Sequence, residues 1–208
     1  MSVTQTTPAP DWRPPWQSLP DDLAERLAPA IPGIMERIIE TVPDQIPAYA
    51  AARDGHYGKN LTAGVTTALE QLMSLPGTAR PALSPETRAL MAYLGAGEFR
   101  EGRTMDALLG AYRTSARIVF RDLSAECARL GMGMSVVIDL GESIWAYIDE
   151  LSAVSAQAHA EAQAARGRPR RLRGPGEGKP GRDVACGPRW AVRAAGISPV
   201  RIPPERTT

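Results

Sequence analysis

The chain has 208 residues, 43% of them hydrophobic, which is enough to bury one core of ordinary domain size. From residue 166 onward, eleven basic and three acidic residues give a formal charge of +8, which leaves −7 for residues 1–165 within the total of +1. The acidic part repels phosphate backbones, which argues against a nucleic-acid-binding surface there, and Cys127 and Cys186 lack the paired spacing of a disulfide framework or a zinc site.

The N-terminal segment contains four prolines among polar residues and lacks a basic stretch followed by an apolar run. Such a composition cannot bury enough apolar surface to offset its ordering entropy, so residues 1–17 are predicted to be a disordered arm. No stretch of about 18 apolar residues occurs anywhere in the chain. We therefore expect a cytoplasmic protein that makes no contact with membranes.

The first half of residues 18–165 shows helical periodicity in three segments. A short helix is predicted directly after Ser18. The run over residues 33–42 has apolar side chains at helical spacing and is ended by two prolines. A longer helix is predicted to open at residue 54 and to stop near residue 75, where a proline and a glycine follow.

The second half carries clear helix start and stop signals. Ser84, followed by proline and glutamate, predicts the start of one helix, and Gly102 and Thr104 predict its end and the start of the next. Gly131 ends that long helix, and the last one begins near Met134 with alanine-rich final turns that we expect to project from the core. Because no β-alternation occurs, the sequence predicts an all-α, antiparallel helical bundle, with globin-like crossing angles as one option.

The composition changes abruptly after Ala165. Residues 166–208 hold glycine or proline at roughly every third position and show no apolar periodicity, so they are predicted to be a disordered, basic tail. Its arginines could bind nucleic acid or an acidic membrane surface by charge alone, and non-specific nucleic-acid binding through this tail is the alternative function. The arginines concerned are Arg168, Arg170, Arg171 and Arg173.

Two long segments resemble a known family. Residues 94–123, LGAGEFREGRTMDALLGAYRTSARIVFRDL, resemble the signature of the helical N-terminal domain of many actinobacterial PucR-type transcriptional regulators, which is related to the N-terminal domains of the RsbR and RsbRD stressosome proteins. Residues 145–165, WAYIDELSAVSAQAHAEAQAA, are similar to the aromatic, YIDELS and Glu-Ala-Gln pattern of the same family. The upstream LAPAIPGIMERIIETVPDQIPAYA is similar to its opening helices, and the resemblance covers residues 23–165.

The resemblance implies a sensory or regulatory domain that dimerises through exposed apolar faces of its long last helices. Such a domain would respond to a small-molecule or protein signal by changing its helix packing. Members of the family continue with a GGDEF-like domain and a C-terminal helix-turn-helix, and neither pattern follows Arg166. The chain is therefore expected to be a truncated regulator, for which a one-base frameshift in a GC-rich gene is a hypothesis, and to bind no specific DNA sequence alone.

Charged residues cluster at the corner between the two helices that meet at Gly102. They could form a polar surface that receives a signal, or they could be ion pairs and caps that fix the corner, since an acidic residue in a first helical turn complements the helix dipole. The residues of this corner are Glu98, Arg100, Glu101, Arg103 and Asp106.

A second candidate site joins the last two helices. Arg113 and Arg117 are four residues apart beside Tyr112, so their like charges share a helix face and call for a carboxylate partner. Asp149 and Glu150 of the YIDELS segment are the expected partners. The resulting buried network would specify packing or hold an anionic ligand.

Aromatic residues provide a third candidate site. Phe120, Trp145 and Tyr147 could line a small-molecule pocket or belong to the plain core, and Tyr112 and Trp145 lie on the predicted apolar stripes. His56 and His159, the two histidines, lie on no strong apolar face, which argues against haem ligation. The sequence also lacks a nucleophile elbow and the Glu-x-x-His pairs of di-iron bundles, so we expect no enzyme activity, metal or cofactor.

The basic tail leads to a testable prediction about DNA. In a mobility-shift assay, the intact chain should bind a promoter fragment without sequence preference, and this binding should fall steeply between low and physiological salt because counterion release drives it. Deleting residues 166–208 should abolish the binding seen at low salt. Tight, salt-resistant and sequence-selective binding that survives the deletion would show that the helical part itself reads DNA.

Overall fold

The computed structural model describes residues 13–53 and 56–167, with the backbone alone for residues 51–53 and 56–60. Within these ranges every regular element is helical and no strand is present, so the prediction of an all-α fold is confirmed. The α-helices are α1 (Leu23–Leu27), α2 (Ile31–Gln45), α3 (His56–Met73), α4 (Pro85–Arg100), α5 (Met105–Arg129) and α6 (Met134–Gly167). Short 3-10 helices lie at Pro15–Ser18, Ala28–Ala30 and Pro47–Arg53.

The ends of α4 and α5 follow the signals read from the sequence. The Ser84 hydroxyl accepts a hydrogen bond from the Thr87 amide at 3.1 Å, and Thr104 caps α5 through the Ala107 amide at 3.2 Å. At their C-terminal ends the chain turns through Gly102 and Gly131, whose φ angles of 77° and 67° suit a residue without a Cβ atom. These caps set the short connections that fold α4, α5 and α6 back on one another.

The packed structure begins before residue 18, so the predicted boundary of the N-terminal arm is wrong. Trp16 lies in the first 3-10 helix with only 2% of its surface exposed, and its indole N–H donates to the Arg80 carbonyl at 3.0 Å. The Gly77 amide in turn donates to the Trp16 carbonyl at 2.9 Å. Large aromatic surface and a satisfied N–H together outweigh the unfavourable Pro-rich composition. The remainder of the arm, residues 1–12, lies outside the described residues, as does the tail after Gly167.

Helix α6 contacts both α4 and α5 along much of its length. Its inward face carries Leu140, Ile144, Tyr147 and Leu151, all buried. The burial continues to Ser155 and to His159, which is 7% exposed, so the expectation that the final turns project from the core is wrong up to that point. None of the described helices combines the length and the apolar character needed to cross a bilayer.

The closest approach between helices occurs where α4 meets α6. A Cβ atom at Gly95 would lie 2.4 Å from the Ser155 carbonyl oxygen and 2.8 Å from the Ser155 Cα, distances that no side chain can adopt. The missing side chain allows the two backbones to touch, and the Ser155 hydroxyl donates to the Met91 carbonyl at 3.3 Å across the same contact. Helices α4 and α6 run in the same direction here, because both are antiparallel to α5.

The contact at Gly95 gives a matched pair of substitutions. Gly95→Ala should destabilise the domain by about 1–3 kcal/mol because the methyl group forces two helix backbones apart. Gly97→Ala, two residues along the same helix, meets no atom within 4 Å and should stabilise it by up to about 1 kcal/mol through helix propensity. Urea denaturation of the two variants measures both changes, and equal effects of the same sign would contradict this description of the crossing.

Candidate functional site

A cavity of about 110 Å³, partly open to solvent, lies between α2, α3, α4, α5 and α6. Its walls are mostly aliphatic, with Val42, Leu94 and Val119 among them, and small residues leave the space open. Gly64, Ala68, Ala111 and Ala116 are the small residues that face it. The empty volume therefore follows from where small residues occur in α3 and α5.

Two tyrosines on the cavity wall, the buried Tyr147 and the partly buried Tyr112, join helices through their hydroxyl groups. Tyr147 donates to the Ala68 carbonyl at 2.9 Å, which links α6 to α3. Tyr112 lies 2.8 Å from the Ser155 hydroxyl, and because Ser155 gives its own proton to Met91, Tyr112 is the donor of that pair. Burial raises the pKa of Tyr112 to about 12 and raises that of Tyr147 well above its ordinary value, so both hydroxyls stay neutral near pH 7.

One polar group on the cavity wall is left without a partner. Ser115 lines the cavity from α5, and within the part of the chain that the structure describes its hydroxyl makes no hydrogen bond. A serine inside a helix often bonds back to the carbonyl four residues earlier, as Ser143 does to Asp139 at 2.6 Å. Ser115 is partly exposed, so its hydroxyl keeps both a donor and an acceptor for water or for a molecule in the cavity.

A buried ion pair closes the cavity at the corner between α4 and α5. The Arg103 Nε atom lies 2.6 Å from Glu98 Oε2 and its Nη2 atom lies 3.5 Å from Glu98 Oε1, with both side chains largely buried. The turn at Gly102 explains this placement. The Arg103 amide donates to the Glu98 carbonyl at 2.9 Å, and this bond brings the two residues next to each other. Arg103 also contacts the half-exposed Glu101.

Residues distant in sequence complete this corner. The Tyr49 hydroxyl donates to Glu98 Oε2 at 3.0 Å, and the Arg103 guanidinium lies 5.5 Å from the centre of the Tyr49 ring. Burial, and next the negative charge of Glu98, raise the pKa of Tyr49 well above its ordinary value. The His159 Nε2 atom lies 3.1 Å from the Arg103 carbonyl, which can only accept, so this nitrogen carries the proton.

The predicted pairing of α5 arginines with the YIDELS carboxylates is wrong. Glu150 instead bonds to Arg88 of α4 at 3.2 Å, and Arg117 donates to the Thr114 hydroxyl at 3.3 Å. Among the described residues no ion pair joins Arg113 to any carboxylate, and Asp149 is exposed without one. The α5 arginines and Asp149 point to solvent, so they form no buried network and no interior anion site.

The aromatic candidates divide between the interior and the surface. Tyr147 lines the cavity, whereas Trp145 is 49% exposed and packs against Phe120 with ring centres 6.3 Å apart on the outside of α5 and α6. The prediction that Trp145 is a core residue is therefore wrong. Helix α6 is apolar on two sides, so periodicity alone does not identify the inward one.

Other candidates fall outside the cavity or outside the described part. Arg100 lies 5.5 Å from the centre of the Tyr93 ring, and Asp106 is exposed in the first turn of α5. The side chain of His56 and the tail arginines lie outside the described residues. Within the described ranges, no three His, Cys, Asp or Glu side chains converge as a metal site would require.

The buried ion pair generates a stability prediction. Glu98→Ala leaves the Arg103 charge without its main partner in a largely buried position and should cost about 3–5 kcal/mol of unfolding free energy. Glu101→Ala removes the half-exposed partner of the same arginine and should cost no more than about 1 kcal/mol. Thermal or urea unfolding compares the two variants, and a Glu98→Ala effect as small as that of Glu101→Ala would show that the pair contributes little.

Comparison with known proteins bears out the resemblance found in the sequence. A family model described as PucR-like N-terminal domain matches residues 16–174, well over half of the chain. Its first residue coincides with the buried Trp16. No curated protein and no solved structure matches the chain. The chain belongs to the PucR-like N-terminal domain family.

Proposed function

We propose that this chain provides the sensory domain of a cytoplasmic PucR-type transcriptional regulator, that its role is regulatory rather than catalytic, and that it works as a homodimer. The family match supports the regulatory role. The observation that supports the dimer is an exposed surface on α5 and α6. Its apolar centre can pack against the same patch of a second copy, and its basic and acidic parts can pair with each other across the two copies. We call this surface the α5/α6 face and define it by the residues below.

The centre of the α5/α6 face is apolar. Met134, Ile138 and Trp145 of α6 are 72%, 55% and 49% exposed, and their spacings of four and seven residues place them on one side of the helix. Phe120 of α5 extends the patch, since its ring packs beside Trp145 and against Gly141. Large apolar side chains collected on one exposed helix side favour burial against another protein surface.

Opposite charges flank this apolar centre. Arg113, Arg117 and Arg121 recur every four residues on the exposed side of α5, whereas Glu142 and Asp149 are exposed on α6. In the described part of the chain, Arg113, Glu142 and Asp149 make no ion pair. In a two-fold dimer a contact between two different elements occurs twice, so basic α5 of each copy can face acidic α6 of the other. This charge pattern favours a second copy of the chain as the partner.

Helix α6 connects the α5/α6 face to the cavity. Trp145 lies on the outside, whereas its neighbours Ile144, Tyr147 and Ile148 line the cavity. A change in packing at the cavity moves the same helix turns that carry the exposed patch. This shared helix supports a regulatory role in which an event in the interior alters how two copies associate.

Sedimentation of the full chain over a range of concentrations tests the dimer. Trp145→Ala should weaken association by about 30-fold or more, the effect of losing a central aromatic worth about 2 kcal/mol. Because Trp145 is half-exposed, the circular dichroism spectrum of the variant should not change. A chain that stays monomeric at high concentration, or a Trp145→Ala dimer as tight as the unaltered one, would contradict the proposal.

Charge reversal supplies a matched control for the same experiment. The double variant Arg113→Glu, Arg117→Glu should weaken the dimer, because each copy then presents acidic α5 to acidic α6. Adding Glu142→Arg and Asp149→Arg restores opposite charges and should recover association. Glu36→Lys, an exposed change on α2, should leave it unaltered.

A further inference from the structure

We propose that the interior cavity is a binding site for a small, uncharged and largely apolar molecule with one hydrogen-bonding group, which Ser115 holds. The idea that this ligand is the signal of a regulator rests on the function proposed above. The binding of the ligand rests on the cavity alone.

The volume of the cavity sets the size of the ligand. Protein interiors are packed as tightly as organic crystals and hold few voids larger than a water molecule, so a space of about 110 Å³ is unusual. An apolar engineered cavity of about 150 Å³ stays dry and binds benzene or xenon. The cavity between α3, α5 and α6 is somewhat smaller, which suits a single six-membered ring or a short branched chain of about five to eight non-hydrogen atoms.

The charges around the cavity exclude an ionic ligand. Glu98 is the charged residue of the described wall, and both of its oxygens already face Arg103. An anion would be repelled by this carboxylate and would find no cation to pair with, because Arg103 already contacts both Glu98 and Glu101. A cation would have to lose its water in an apolar space while Arg103 already neutralises Glu98. A neutral molecule meets neither penalty.

The hydrogen bonds around the cavity identify the contact that selects the ligand. Tyr49, Tyr112 and Tyr147 have committed their protons to Glu98, Ser155 and the Ala68 carbonyl. The tyrosine oxygens can therefore only accept from a ligand, and on the described wall the Ser115 hydroxyl is the side-chain group that can still donate as well as accept. A ligand hydroxyl or carbonyl beside Ser115 would satisfy this group, whereas a pure hydrocarbon would fill the space and leave it unsatisfied.

Probe molecules test the site in the full chain by calorimetry and by thermal melting. Phenol and toluene have the same size, and phenol has a hydroxyl group where toluene has a methyl group; isovalerate is of the same size and adds a charge. We expect phenol to bind more tightly than toluene, both to raise the melting temperature, and isovalerate to do neither at the same concentration. Xenon, detected by its NMR shift, reports the apolar space independently of any hydrogen bond.

Two substitutions separate the space from the polar contact. Ala111→Leu fills the cavity and should weaken phenol, toluene and xenon binding at least tenfold, whereas Ala153→Leu on the exposed side of α6 should leave all three unchanged. Ser115→Ala keeps the fold and the space. It should weaken phenol binding severalfold and leave toluene binding unaltered or slightly tighter, because toluene then no longer separates a hydroxyl group from water.

The outcomes distinguish this site from the dimer. Absence of xenon and toluene binding to the folded chain overturns the cavity as a ligand site, whatever its oligomeric state. Equal effects of Ser115→Ala on phenol and toluene overturn the role of Ser115, and this variant decides the question even if Ala111→Leu fails to fold. Binding that persists in a chain that sediments as a monomer keeps the site and removes the proposed dimeric regulator.

Discussion

The contact of α4 with α6 at Gly95 determines where most other groups in this domain lie. Because no Cβ atom separates the two backbones, Ser155 reaches both the Met91 carbonyl and the Tyr112 hydroxyl. One turn further along α6, His159 meets the Arg103 carbonyl just after the end of α4. The hydrogen bonds of Ser155 to Met91 and to Tyr112 therefore rely on one residue that has no side chain.

Helix α6 combines two environments that are usually found on separate elements. Its inward side lines a space that the core does not fill, and its outward side carries apolar residues that the chain itself does not cover. The two sides are only one residue apart at Ile144 and Trp145. A displacement of α6 sufficient to admit or expel a ring-sized molecule would therefore also change the α5/α6 face, which is how a small ligand could affect association between two copies.

The sequence predicts the features of this fold that depend on neighbours in the chain. The caps at Ser84 and Thr104 and the turns at Gly102 and Gly131 are local, and the structure has them where the sequence indicates. Features that depend on distant partners are not readable in this way. Tyr49 lies in a proline-bounded segment 49 residues before Glu98, and Ser155 and His159 are small or polar side chains whose burial depends on α4 and α5. The sequence predicts Trp145 in the core, whereas the structure has it at the surface, because α6 is apolar on two sides and periodicity does not tell which side faces inward.

The cavity also affects how much the volume of the system changes when the protein unfolds. On unfolding, the part of this cavity that water does not occupy is lost, so the system shrinks, and a space of about 110 Å³ contributes at most a decrease on the order of tens of millilitres per mole. Hydrostatic pressure therefore acts against this domain chiefly where Gly64, Ala68, Ala111 and Ala116 leave the core open. A molecule seated there would remove part of that volume decrease. The same few small residues thus determine both how strongly pressure acts on the native state and how much space the cavity offers to a bound molecule.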